Sequence, residues 1–362
     1  MKARIRHLEF EPGRRILAVS DVHGNLPYLR GLLDRVRFDA RDYLVFVGDI
    51  IEKGPQSLET LRFIMALSKA GNVFTVCGNC DGWHGIYDEP DGGMFYHVRE
   101  YVNTRPDALL HQMCRSIGYP ITPDMDIPDM LEALRGPFAA EFDFLRAMPT
   151  VLETPHYTFV HGGLPEGDPA QLEAHLFMKN DAFLNQGRRF DKWVIVGHWP
   201  VMLYGENITC ANPIIDRDSH IISIDGGCVL KDDGQLNALI IPCDGSEAFQ
   251  FDAYDPFPVR VALDAQENSE ASWYLRWGDN LVRVLEPGEE FCLCEHIRTG
   301  YRMEILTKYL TPKGDGVFIS NDSTDYVLPV SPGDRLSIVE ITSRGVLAKN
   351  RGVSGWYRGR LE

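Results

Sequence analysis

No apolar run in this sequence approaches the roughly eighteen residues of a membrane span, so a membrane-crossing helix is not expected. The start, Met1-Lys2-Ala3-Arg4-Ile5-Arg6-His7, carries charge but no apolar signal core, and a cytoplasmic location is the expectation. Basic side chains are scarce. Against 52 Asp and Glu stand 36 Lys and Arg, and the formal charge of −16 argues against nucleic-acid or anionic-membrane partners. An anionic substrate must then be held locally, by metals and a few cations. Cysteine is sparse and unpatterned: Cys77, Cys228, Cys243, Cys292 and Cys294 fall in strand-like runs, where they act as small buried hydrophobes, and no disulfide framework is expected. Cys77 and Cys80 share the spacing of a redox or zinc element, but no second pair stands at zinc-ribbon spacing.

What the sequence does have is apolar content, 44% over 362 residues, enough for a buried core in two or three domains. Its organising feature is a set of short apolar runs that end abruptly in ligand-type residues. Ile16 to Val19 leads into Ser20-Asp21-Val22-His23-Gly24-Asn25, and Tyr43 to Val47 into Gly48-Asp49-Ile50-Ile51-Glu52-Lys53-Gly54. Val73 to Cys77 leads into Gly78-Asn79-Cys80-Asp81, Tyr157 to Val160 into His161-Gly162-Gly163, and Trp193 to Val196 into Gly197-His198-Trp199-Pro200. Open α/β sheets place their sites where buried strands meet such loops. Asp21, His23, Asp49, Asn79, His161 and His198 form a mixed oxygen and nitrogen set suited to Mn, Fe, Zn or similar ions, and two ions would need a shared carboxylate.

Between these endings the first half alternates strand and helix. Asn25 is placed to cap a helix with Pro27 in its first turn and Leu26, Leu29, Leu32, Leu33 and Val36 on one face. A second helix is expected from Ser57 to Ala70, stopped by Gly71. From Gly82 to Thr154 the pattern loosens, with a turn at Asp88 to Gly93 and helical stretches near Asp129 to Arg135 and Phe138 to Ala147. This segment is either a cap over the site or a peripheral insertion. Ile221 to Ile224 and Leu236 to Ile241, separated by closely spaced turn signals, read as an antiparallel meander in a second sheet. A catalytic domain over residues 1–252 is expected, with 82–154 as its insertion, then a β module over 253–362. Pro287-Gly288 and Pro332-Gly333 each precede an acidic turn and a strand, a weak repeat that suggests two half-repeats. The closing Gly355-Trp356-Tyr357-Arg358-Gly359 resembles an SH3-like barrel.

Asp-x-His-Gly, Gly-Asp-x-x-(acid)-(base)-Gly, Gly-Asn-x-(acid), His-Gly-Gly and Gly-His-x-Pro, in that order over residues 15 to about 241, resemble the calcineurin-like metallophosphoesterases. The variants present are most similar to the branch of serine/threonine protein phosphatases and bacterial symmetrical dinucleoside tetraphosphatases. The resemblance implies an α/β fold, a two-sheet αββα sandwich, followed here by the β module. It places Asp21, His23 and Asp49 on one metal and Asp49, Asn79, His161 and His198 on the other, with Asp49 as the bridge. Manganese is the foremost ion, with Fe, Zn, Ni or Co as alternatives; the pair clamps phosphate and activates water for in-line attack.

Three positions depart from the pattern. Cys80 stands where the family has a histidine that protonates the leaving oxygen, Glu52 where it has that histidine's aspartate partner, and Lys53 where it has a phosphate-binding arginine. A thiol is a poor proton donor to oxygen, and lysine binds phosphate as a point charge. His84 is a substitute acid candidate and Lys179 a second phosphate-binding candidate; His156 lies outside the motifs. Trp199 and Tyr204 are aromatic candidates for stacking on a base. The implied function is dimetal hydrolysis of phosphate monoesters or nucleotide phosphoanhydrides, with a small phosphorylated molecule or nucleotide as substrate. The alternatives are a phosphoprotein phosphatase and a weakened phosphate-binding scaffold acting through a protein partner of the β module.

Overall fold

The computed structural model describes residues 1–83, 85 and 92–362, so His84 and residues 88–91 of the expected turn lie outside the described residues. The chain forms two compact units. The first comprises Met1–Pro200, Pro213–Leu230 and Gln235–Tyr254; the second comprises Val201–Asn212, Lys231–Gly234 and Asp255–Glu362. Among the described residues, no helix is long and apolar enough to cross a membrane.

In the first unit, β1 (Ile5–His7) is followed by β2 (Ile16–Val19), which helix α1 (Leu26–Arg35) joins to β3 (Tyr43–Val47), and helix α2 (Ser57–Ser68) joins β3 to β4 (Val73–Val76). β2, β3 and β4 run parallel, and Leu236–Ile241 then Gln250–Tyr254 extend that sheet antiparallel on the β2 side. A second sheet has the order β1, β5 (Val151–Glu153), β6 (Tyr157–Val160), β7 (Trp193–Val196), Ile221–Ser223, Ile214–Asp216. Side chains alternate between faces along each strand, and here both faces are covered. Leu44 and Phe46 of β3 join the core with Leu29, Leu32 and Leu61 of the helices, while Tyr43, Val45 and Val47 join a core with Phe159, Trp193 and Ile195 of the second sheet. Each such fully covered side chain contributes roughly 1.5–3 kcal/mol. The outer face of the second sheet is covered by short helical segments carrying Phe177 and Phe183.

Two local expectations are corrected. The Asn25 side chain makes no capping hydrogen bond; its backbone carbonyl instead accepts from Leu29 N–H at 3.2 Å. Ile221–Ser223 and Leu236–Ile241 do not form a meander, since the first pairs parallel to β7 and the second antiparallel to β2, in different sheets. Both strands are buried on both faces, a demand that one solvated hairpin cannot meet.

Residues 92–148 fold as a helical insertion of α3 (Phe95–Thr104), α4 (Leu109–Ile117), α5 (Ile127–Arg135) and α6 (Ala139–Ala147). Helix α5 begins two residues before the expected start because the Asp126 side chain caps it, accepting from Asp129 N–H at 3.0 Å. Helices α3 and α4 are not among the elements expected from the sequence. Helix α4 is nonetheless signalled by Leu109, Leu110, Met113 and Cys114 on one face and by Gly118, at φ +72°, behind it.

The second unit is β-rich throughout. One antiparallel sheet has the order Val259–Val261, Arg335–Thr342, Gly345–Asn350, Val353–Tyr357, Thr209–Cys210; another has Arg302–Leu306, Phe291–His296, Leu281–Glu286, Val317–Ser320, Leu310–Gly314. Each carries its own apolar core, and the two Pro-Gly turns precede strands in different sheets. Residues 201–212 and 231–234, assigned in sequence to the first domain, belong to this unit.

Candidate metal centre

The strand ends of the first unit deliver the ligand-type side chains to one place. Asp21 and His23 follow β2, Asp49 follows β3, Asn79 and Cys80 follow β4, His161 follows β6 and His198 follows β7. The backbone is bent hard to do it. Asp21, His23, Asp49 and His198 all sit at positive φ, between 49° and 65°, a region that costs a non-glycine residue roughly 1–3 kcal/mol and clusters at functional sites. Two glycines admit the close approach: a Cβ on Gly78 would lie 2.2 Å from Asp49 Oδ1, and one on Gly197 2.4 Å from Asp21 Oδ2.

Asp49 is central. It shares one group of ligand atoms, all within 4.8 Å of one another, with Asp21 and His161, and a second such group with His23 and Cys80. His161 Nε2 lies 3.3 Å from Asp49 Oδ1, and His23 Nε2 lies 3.7 Å from Asp49 Oδ2 and 3.6 Å from Asp21 Oδ1. The Asn79 amide nitrogen, oriented to donate, lies 2.9 Å from His198 Nδ1 and 3.2 Å from the Met178 carbonyl. The remaining ring nitrogen of each histidine is engaged from behind: His161 Nδ1 with the Val47 carbonyl at 2.8 Å, His23 Nδ1 with the Ile51 carbonyl at 3.3 Å, and His198 Nε2 with Asp181 Oδ1 at 2.9 Å. Outer partners of this kind set tautomer and ring orientation for metal ligation.

The charge balance calls for cations. Asp21, Asp49, Asp81 and Asp225 are all buried, and neither Asp21 Oδ1 nor Asp225 Oδ2 has a hydrogen-bond partner among the described residues. Burial, with the Asp225 charge behind it, pushes Asp21 well above the usual carboxylate range; Asp49, although buried, is held low by His161 and His23. Orphaned carboxylate oxygens beside inward-facing imidazoles fit a site for divalent cations.

A model of the calcineurin-like phosphoesterase family matches residues 14–222. The chain belongs to that family. Among curated relatives, the symmetrical bis(5'-nucleosyl)-tetraphosphatase of Methylococcus capsulatus is 54% identical over 67 residues, 18% of this chain and 23% of that one. Those of Thioalkalivibrio sulfidiphilus and Actinobacillus succinogenes are 34% identical over 153 residues and 33% over 173, covering 41% and 47% of this chain and 45% and 51% of theirs. The chain thus spans about half or less of the length of these relatives.

At the positions that depart from the calcineurin-like pattern, the structure is specific. Cys80 is half-buried, its N–H donates to Asp49 Oδ1 at 2.8 Å, and burial with the Asp49 charge pushes its thiol well above the ordinary range. It is a neutral group held among the ligand atoms. Lys53 Nζ lies 3.5 Å from His23 Nε2; burial opposes its charge, but the carboxylates of Asp49, Asp21 and Asp225 favour it, and its pKa is raised. Glu52 is not turned toward an acid at position 80. Its Oε1 accepts from Leu109 N–H at 2.8 Å and its Oε2 from the Tyr101 hydroxyl at 2.7 Å, both in the helical insertion. Lys179 is exposed after the short helix His175–Met178, with its backbone nitrogen beneath Gly162, and Tyr204 belongs to the second unit.

Three further acidic residues lie near the ligand-type side chains. Asp81 is a brace: Oδ2 accepts from Gly78 N–H and Asp49 N–H, each at 2.8 Å, and Oδ1 from Ile50 N–H at 3.0 Å, joining the loops after β3 and β4. Asp181 orients His198, and Asp225 is among the charges that raise Asp21. Asp81 was within reach as the acid of Gly-Asn-x-(acid), and Asp225 as the acid of Ile224-Asp225-Gly226-Gly227; Asp181 has no local signal.

Proposed function

We propose that this chain is a dimetal phosphohydrolase that cleaves phosphoanhydride bonds of nucleotides, dinucleoside polyphosphates being the leading substrate class and aryl-type phosphate monoesters the second. The observation that carries the reading is Asp49, whose carboxylate belongs to two ligand groups at once. Asp21, His23, Asp49, Asn79, His161 and His198 would hold the ions, of which manganese is the first choice. Two divalent ions supply Lewis-acid polarisation of the phosphoryl oxygens and an acidified water.

The chain's own residues account for the rest. Lys53 brings a retained positive charge beside His23, where it offsets a phosphate's charge. Cys80 offers a neutral, reluctant proton at the position next to Asn79. With so weak an acid, the departing oxygen must carry its own negative charge, which favours anhydrides and aryl esters over alkyl esters such as phosphoserine. The names of the relatives, symmetrical tetraphosphatases, point the same way. The test is a panel of diadenosine tetraphosphate, an aryl phosphate and a phosphoserine peptide on manganese-reconstituted protein. Anhydride and aryl substrates should turn over fastest; a phosphopeptide that outruns both would favour the phosphoprotein phosphatase reading.

A further inference from the structure

Glu52 and Lys53 are consecutive non-glycine residues at φ +69° and +68°. Each such residue costs roughly 1–2 kcal/mol, so the turn persists only if its surroundings hold it. The following glycine, Gly54, leaves no slack, because a Cβ there would lie 2.0 Å from the His23 carbonyl oxygen. What holds the turn from the other side is the helical insertion. Glu52 is 2 % exposed; its N–H donates to Ser57 Oγ at 2.9 Å, while its carboxylate accepts from Tyr101 of α3 and from Leu109 N–H at the first residue of α4. Ser57 Oγ in turn donates to the Asp107 carbonyl, just before α4, at 2.9 Å. The Tyr101 ring is packed against Trp83, centroids 5.3 Å apart, so its hydroxyl is not free to follow a moving loop.

We infer that Glu52 is a positioning residue, a latch by which the helical insertion holds the Glu52–Lys53 turn in its left-handed shape and so keeps the Lys53 ammonium beside His23. The carboxylate acts through Lys53 and not through Cys80. This rests on the reading that Lys53 meets a phosphate. The insertion then forms part of the framework of the anion site.

The experiment measures binding of inorganic phosphate to the manganese-loaded full chain by calorimetry, and amide hydrogen exchange over residues 107–117 of the same protein. Lys53→Ala should weaken phosphate binding roughly tenfold or more, as expected for loss of a charge-assisted contact. Glu52→Ala should weaken it comparably, Tyr101→Phe by less, and the double variant Glu52→Ala/Lys53→Ala no further than Lys53→Ala alone. Glu52→Gln can still accept from Leu109 N–H and donate to the Tyr101 oxygen, so it should recover most of the affinity lost in Glu52→Ala. Exchange over 107–117 should quicken in Glu52→Ala and be restored in Glu52→Gln. Additive losses in the double variant, or unchanged exchange in Glu52→Ala, would overturn the latch. Phosphate binding that responds as described in a protein without turnover on any phosphoester would sink the hydrolase reading and leave the latch standing.

Discussion

At the scale of single residues, two side chains set what this site does differently from the calcineurin-like pattern. Cys80 is a neutral thiol among metal-ligand-type atoms, so replacing it by histidine introduces an imidazole with an ordinary pKa near 6.5. General acid catalysis contributes on the order of a hundred to ten thousand in rate, but Glu52 is committed to Tyr101 and Leu109 and is not available to orient the new ring. Cys80→His should therefore raise kcat on alkyl phosphates by only the lower part of that range, with little change on aryl phosphates; the comparison of the two substrate types is the measurement. Glu52 itself has a pH signature. Burial holds its pKa up to about 7, against the pull of its donors, whereas the unfolded value is near 4.5. The folded state then binds the proton more tightly, so this group's contribution to stability is greatest at low pH and falls as pH rises from about 4.5 through about 7. The full span is at most about 3 kcal/mol. Thermal unfolding of chelator-treated protein should show a steeper loss between pH 5 and pH 7.5 in the parent than in Glu52→Gln, because only the parent titrates there.

At the scale of elements, the site depends on how closely the β3 and β4 loops approach. Gly78 ends β4 against Asp49, with Asp81 pinning both loops through backbone N–H groups. Gly78→Ala puts a methyl 2.2 Å from Asp49 Oδ1 and 2.3 Å from the Asp49 backbone nitrogen, so both the carboxylate and the loop that carries it must shift. Overpacking of this kind costs roughly 1–3 kcal/mol or more, so a circular dichroism spectrum accompanies the metal measurement to establish that the variant is folded. The expected outcome is a folded protein that loses most of its bound manganese, read by elemental analysis after dialysis. Full metal content in Gly78→Ala would mean that Asp49 does not bridge.

For the whole molecule, the division of the chain has a consequence for dissection. All six proposed ligands lie in the first unit, as does the strand Gln250–Tyr254 that closes the edge of its sheet. A chain ending after Tyr254 should keep about two metal ions and hydrolysis of an aryl phosphate. It should also be less stable than the full chain, because the strand Thr209–Cys210 loses its partner Val353–Tyr357. Metal analysis, an aryl phosphate assay and a melting curve on that truncation check each part. A truncation that is folded and metal-loaded but inactive would show that the second unit contributes to catalysis.

The sequence by itself determined the elements that carry the proposed ligands, because each ligand-bearing loop follows a short run of residues patterned as a covered strand. Leu44 and Phe46 facing one core and Tyr43, Val45 and Val47 the other is the physical form of that uninterrupted apolar pattern. Glycines beside ligands were legible for the same local reason. The tertiary structure alone decided everything that depends on partners distant in the chain. Asp181 reaches His198 across 17 residues, and Glu52 finds Leu109 across 57. Neither pairing leaves a periodicity or a spacing behind. Ile221–Ser223 and Leu236–Ile241 look alike as strings, yet hydrogen bonding to β7 and to β2 sends them to separate sheets. Strand identity is written in burial along a few residues, whereas strand pairing and the choice of a carboxylate's donors are settled only when remote segments compete for the same unpaired groups.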